Sequence, residues 1–276
     1  FVDDEGIETG SLCFDSAALE NDIEILGAPA LSVRVAANVR MAQLAVRVTE
    51  VLPDGQSWLV SYGLLNLTHR NGHADPTPLE PGRAYDVRIE LFPIAHRFKR
   101  GSKIRVALSD GLWPLAWPSP EVADLTFELG LRSQLLLPTR PPEREQITLG
   151  IGETMTPPDD AAERPSTTLA PRFPGHYVID NDSPPYARTI ADTGVEVSRG
   201  SWEHSEIVEG QPLQCRWTQR VVTTWQRDAW RCALEARYEL TATPQAFSLT
   251  ETLIAKSGDA EIFRRTHTSD IARDLL

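Results

Sequence analysis

The sequence predicts an all-β protein: a jelly-roll β-sandwich followed by a second antiparallel β-rich domain. Three observations predict it. Apolar residues recur with a period of two in one run after another. Proline and glycine, 21 and 17 of the 276 residues, break those runs into short pieces. No stretch of the first half carries an apolar stripe at helical spacing.

The elements follow in order. "FVDDEGIETG" (1–10) is acidic and polar, begins on Phe1, and reads as a linker remnant of a longer chain. "SLCFDSAALENDIEILGAPALSVRVAA" (11–37) supplies one or two strands. In "LAVRVTEV", Leu44, Val46 and Val48 share one face, and Ala45, Arg47 and Thr49 the other. That alternation is what a strand with one buried face requires. "LPDGQS" (52–57) turns the chain, because Asp54 and Gly55 both tolerate positive φ. "LEPGRA" (79–84) is a second turn, with Pro81 fixing φ and Gly82 free to adopt any. "YDVRIELF" and "IRVALSD" repeat the alternation through Val87, Ile89, Ile104, Val106 and Leu108. Roughly six to eight short strands in residues 11–134 suit an antiparallel sandwich or jelly roll.

The character then changes. Residues 135–171 are rich in proline and charge and read as a connector. Strand patterns resume in 172–276, short at first, then longer in 213–226, 229–242 and 245–256. Trp230, Cys232, Leu234, Ala236, Tyr238 and Leu240 fall on one face. Trp217, Trp225 and Trp230 are expected to fill a core there. "SGD" (257–259) turns into a last strand that holds His267.

Charge and motifs narrow the function. A formal charge of -12 argues against nucleic acid, whose phosphates need a basic face. No apolar run is long enough to cross a membrane as a helix, and no basic-then-apolar leader is legible, which points to the cytoplasm rather than to secretion. Cys13, Cys215 and Cys232 match no zinc or CxxC spacing; Cys215 and Cys232 are expected as two buried free thiols, with a bond between them as the alternative. His69 and His73 lie four apart around an Asn-Gly turn, without the glutamate of a zinc protease, and read as a loop pair rather than a metal site. His96 reads as a cap at a strand end. The residues call for no metal and no cofactor. The G-x-S-x-G of a nucleophile elbow is absent, and neither Ser201 nor Ser257 has the strand and helix around it that would activate a hydroxyl.

"DGLWPLAWPSP" (110–120) stands out. Trp113 and Trp117 are each followed by a proline, Pro114 and Pro118, with Pro120 close behind. Aromatic surface on a loop stiffened in this way costs little entropy to bury. It suits an interface or a pocket wall; the plainer alternative is a loop folded back over its own sandwich.

Three ordered stretches carry a resemblance: "SLCFDSAALENDIEILGAPALSVRVA", "VLPDGQSWLVSYGLLNLTHR" and "PLEPGRAYDVRIELFPIAHRFKRGSKIRVALSDGLWPLAWPSP". Together they resemble the non-catalytic C-terminal domain of X-Pro dipeptidyl-peptidases and cocaine-esterase-like hydrolases. The likeness is dense over 11–130. Beyond it, "AEIFRRTHTSDIARDLL" is similar to the tail of an extra β domain in some hydrolases of this group. The resemblance implies a jelly roll that packs on an upstream α/β-hydrolase domain and helps shape its pocket. The Ser-Asp-His triad of the family precedes the matched segment, so no catalytic residue carries over. Trp113, Trp117, Pro114 and Pro118 then become the candidate interface or pocket wall. The expected partner is that catalytic domain, with self-association of the chain as a further expectation. Two alternatives stay open: a freestanding carbohydrate- or ligand-binding module, and an independent hydrolase with an unrecognised site.

Overall fold

The Asp54-Gly55 turn closes as the sequence predicts. Leu52 N–H donates to Gln56 O at 2.8 Å, Gln56 N–H to the Asp54 carboxylate at 3.0 Å, and Gly55 takes a φ of 91°. It joins the two longest strands of the first unit. The computed structural model describes residues 2–3, 10–140, 166–173 and 175–276. They are β-strands and turns, with two short 3-10 turns and no α-helix among the described residues. The chain divides into two units, Phe1–Leu149 with Leu275–Leu276, and Gly150–Asp274.

The first unit holds β1 (Val2–Asp3), β2 (Leu12–Asp15), β3 (Ile23–Gly27), β4 (Ala30–Ala37), β5 (Gln43–Val51), β6 (Ser57–Asn66), β7 (Ala84–Glu90), β8 (Ile94–Phe98), β9 (Lys103–Ser109), β10 (Leu125–Glu128) and β11 (Gln134–Leu136). There are more of them than the periodicity predicts. The additions, such as β10 and β11, are too short to show a period of two. One antiparallel sheet runs β1-β6-β5-β9-β2. In the other, β4 pairs with β7 along one side and with β10 and β11 end to end along the other; β3 and β8 form a further pair. Leu44, Val46 and Val48 meet Val33, Val35, Val87, Ile89 and Phe98 in the core.

β5 departs from the expectation of one buried face: every residue in it is buried. The alternation is present, but its outer face is covered too. Arg47 donates to Ser11 Oγ, Gln43 Nε2 to Trp117 O at 2.8 Å, and Ser57 Oγ to Thr49 Oγ1 at 2.9 Å. Residues 135–139, expected in the connector, extend this unit: Leu135 and Leu137 pack on its core and Thr139 bridges to Ile25. Residues 141–165 of that connector lie outside the described residues. The chain end belongs here as well. Leu275 O accepts from Asn66 Nδ2 and from Thr68 Oγ1, both at 2.8 Å.

The second unit is a single seven-stranded antiparallel meander: β12 (Ser166–Phe173), β13 (His176–Ile190), β14 (Val195–Val208), β15 (Arg216–Arg227), β16 (Trp230–Ala242), β17 (Ala246–Ser257) and β18 (Ala260–Ala272). β13 and β14 are 15 and 14 residues long, not short as their sequence suggests. The predicted tryptophan core is corrected. Trp217 and Trp225 are half-buried and Trp230 is 50% exposed. Among the described residues of its own unit the sheet has no second layer to close over them, and Val178, Cys215 and Ile254 are its buried apolar side chains.

Candidate functional site

β9 ends at Ser109, whose hydroxyl donates to Gly111 O at 2.9 Å and starts the 110–120 loop. Ala116 N–H closes a turn on Leu112 O at 3.0 Å, and the Trp113–Pro114 peptide is cis. The turn brings the two indoles together edge to face, centroids 5.1 Å apart at 81°. The Gln43 bond to Trp117 O fastens the loop to β5. Trp113, Trp117, Pro114 and Pro118 are half-buried, Ser119 and Pro120 buried, and Leu115 between the indoles is 67% exposed. The loop is thus folded back at its end and open at its tip.

The histidines hold what the sequence could not show. His96 Nε2 lies 2.8 Å from Glu50 Oε2, whose other oxygen accepts from Lys99 N–H at 2.7 Å. This carboxylate, 5% exposed, ties the end of β8 to β5. His176 and His204 meet Glu206 and Asp180 at 2.6 and 2.7 Å. The partners lie far apart in the chain, so spacing gives no hint of them. Neither His96 nor His204 has a hydroxyl or thiol as a hydrogen-bond partner among the described residues. Ser269 Oγ does meet His267 Nε2 at 2.9 Å, but both lie on β18, an exposed edge strand where nothing excludes water. His69 and His73 pair through their Nδ1 atoms at 3.0 Å. No cluster of three or more metal-ligating side chains occurs among the described residues.

None of the three cysteines forms a disulfide, and Cys13 Sγ meets Ser11 O at 3.8 Å. Burial pushes Cys215 up to about 12, against a small opposing pull from Arg273. A thiol so placed is inert rather than nucleophilic.

The arrangement is that of a β-sandwich carrying an aromatic loop, fastened to β5 at Trp117 and open at Leu115. The family follows from the chain itself. Residues 6–151, more than half of it, match the X-Pro dipeptidyl-peptidase C-terminal non-catalytic domain, and the chain belongs to that family. It is 24% identical over 103 residues to a cocaine esterase of Rhodococcus sp. (strain MB1 Bresler), covering 37% of this chain and 18% of that protein. Among solved structures it is similar to an α-amino acid ester hydrolase, at 20% identity over 49% of this chain and 26% of the other, with a TM-score of 0.46. A CocE/NonD family hydrolase from Staphylococcus aureus matches at 18% identity over 50% and 32%, with a TM-score of 0.42. The chain therefore spans a minor part of each relative's length. The family match falls almost wholly on the first unit, which is a non-catalytic domain of a hydrolase family.

Proposed function

We propose that this chain is the C-terminal non-catalytic portion of a serine acyl hydrolase or X-Pro dipeptidyl-peptidase-like enzyme. Its first unit packs on an upstream α/β-hydrolase domain, and the 110–120 loop supplies the contact. The carrying observation is the loop tip: Leu115 stands 67% exposed between two indoles already fixed against each other. Side chains ordered before docking lose little entropy on docking. The name of the curated relative, a cocaine esterase, supports ester hydrolysis as the parent chemistry.

The test has two arms. A fluorophosphonate probe leaves the purified chain unlabelled and labels the parent polypeptide; stoichiometric labelling of one serine in the chain alone overturns the non-catalytic reading. The double substitution W113A/W117A weakens association with the separately expressed hydrolase domain and leaves this chain's melting temperature nearly unchanged. Unchanged association with a fall of several degrees would make the loop a plug of its own sandwich, since losing a buried aromatic costs about 3–5 kcal/mol. Loss of glycan binding instead would favour the sugar-binding alternative.

A further inference from the structure

The second unit has two unlike faces. Residues paired across an antiparallel sheet point the same way, and alternate residues point oppositely. The register Asp182–Trp202–Arg220–Arg237–Thr252 and the row beside it, Asp180–His204–Thr218–Glu239–Thr250, therefore share one face. That face is polar and lines a cavity of about 470 Å³. The opposite face carries Trp217, Leu240, Leu249, Leu234 and Leu253.

At the centre of the polar face, Arg220 and Arg237 converge on Glu235. Both Nε atoms donate to the same carboxylate oxygen, each at 2.7 Å. Glu235 is a buried residue, whereas the arginine side chains are about half exposed, at 47% and 56%. The carboxylate thus fixes both guanidinium groups from below. Each retains its terminal nitrogens, for which no hydrogen-bond partner exists among the described residues. The trio carries one net positive charge. Trp202 holds the arrangement from the side, its ring 4.8 Å from the Arg220 guanidinium carbon. The ring lies over Gly200, where an added Cβ would come within 2.8 Å of it. One strand beyond Trp202, Asp182 is half-buried and without a hydrogen-bond or ion-pair partner among the described residues. On the far side, the Thr252–Thr266 and Thr250–Thr268 hydroxyl pairs at 3.0 and 3.2 Å continue the polar floor.

We propose that this groove binds a small polyhydroxylated oxyanion. Its carboxylate or phosphate sits on the terminal nitrogens of Arg220 and Arg237, and a hydroxyl donates to Asp182. The planar forks suit a two-oxygen anion; Asp180, Glu203 and Glu239 also line the groove, so the anion sits at the arginines and the ligand's hydroxyls face the carboxylates. Asp182, an acceptor without a donor, then gains one. The lining sets hydroxyls and charged groups beside the Trp202 ring, which suits the polar edges and apolar faces of a sugar-like body better than a hydrocarbon. This inference stands apart from the docking role of the first unit.

Calorimetric titration of the full chain tests it with three probes: glucuronate, glucose 6-phosphate and glucose. At least one of the two anionic sugars binds saturably, and neutral glucose does not. Which one binds distinguishes a carboxylate ligand from a phosphate ligand. Arg237→Lys keeps the charge next to Glu235 but loses the fork, and weakens binding by about tenfold or more. Asp182→Asn, which leaves the arginine trio intact, weakens the anionic sugar several-fold. Circular dichroism of both variants shows the β spectrum retained. Failure of both anionic sugars to bind overturns the proposal, as does equal binding of glucose or binding unaffected by Arg237→Lys.

Discussion

β5 and β16 are both interior strands of antiparallel sheets, and both alternate in sequence. Nothing in β5 is exposed, whereas in β16 the buried residue is Glu235, a carboxylate. The period of two therefore orients side chains without burying them. Burial comes from a second layer: β5 has β4 and β7 across the core and the 110–120 loop on its outside, and β16 has neither within its own unit. One strand is held by dispersion and the removal of apolar surface from water, the other by cross-strand ion pairs over a polar floor.

The largest expected effect breaks the first strand. Leu44, 0% exposed, sits at the centre of the sandwich. Leu44→Ala removes its contacts and leaves a cavity, at a cost of about 2–5 kcal/mol. Hydrogen exchange read peptide by peptide reports each unit separately. Protection collapses across β5, β6 and β9 and holds across β15 to β17. Loss spread evenly over both units would mean that they unfold as one.

Glu235 gives the corresponding effect in the second unit. The Arg220 hydrogen bond chiefly, then that of Arg237, hold its carboxyl down at about 2 against the opposing cost of burial. A carboxyl depressed in the folded state stabilises that state fully above its unfolded value, near 4.5, and loses the contribution as pH falls towards 2. Solvent at the half-exposed arginines reduces the gain, which leaves about 1–3 kcal/mol. Exchange protection of β15 and β16 falls between pH 4.5 and 2 in the native chain, and Glu235→Gln flattens that acid limb while lowering protection at pH 7. An acid limb unchanged by the substitution would remove Glu235 as its origin.

The turn between β5 and β6 shows what was legible in the sequence. Asp54-Gly55 announced a hairpin because the chemistry of a turn is local, and the hairpin formed. Gly55→Ala meets no neighbouring atom but forces a φ of 91° on a residue with a Cβ, so it costs about 1 kcal/mol. Chemical denaturation with the fluorescence of the first unit's tryptophans reads that loss. The sandwich strands were legible for the same local reason, and the order of the three matching segments pointed to the family. Three things were not. β10 and β11 are too short for a pattern. The Glu50–His96 and Asp180–His204 pairs join residues 46 and 24 positions apart. The single-layer state of the second unit is a property of what does not cover it. The tryptophans of β15 and β16 alternate as core residues do, and nothing in that alternation tells a closed sheet from an open one.

The smallest expected effect sharpens the comparison from its other side. Leu234 lies on β16, one residue before Glu235 and on the opposite face, between Thr223 of β15 and Ala255 of β17. Its sequence context is as apolar as that of Leu44, yet it is 41% exposed. Leu234→Ala therefore removes a side chain that already meets water and opens no enclosed cavity. The expected cost is under about 1 kcal/mol, several-fold less than for the same substitution at Leu44. Exchange protection of β15 to β17 reads it, with the first unit as an internal control. Two equal losses would show that the apolar face of the second sheet is covered in solution, and the contrast between a closed and an open sheet would fail. A small loss at Leu234 together with the full loss at Leu44 locates the difference between the two strands in the layer above them, since the alternating pattern is common to both.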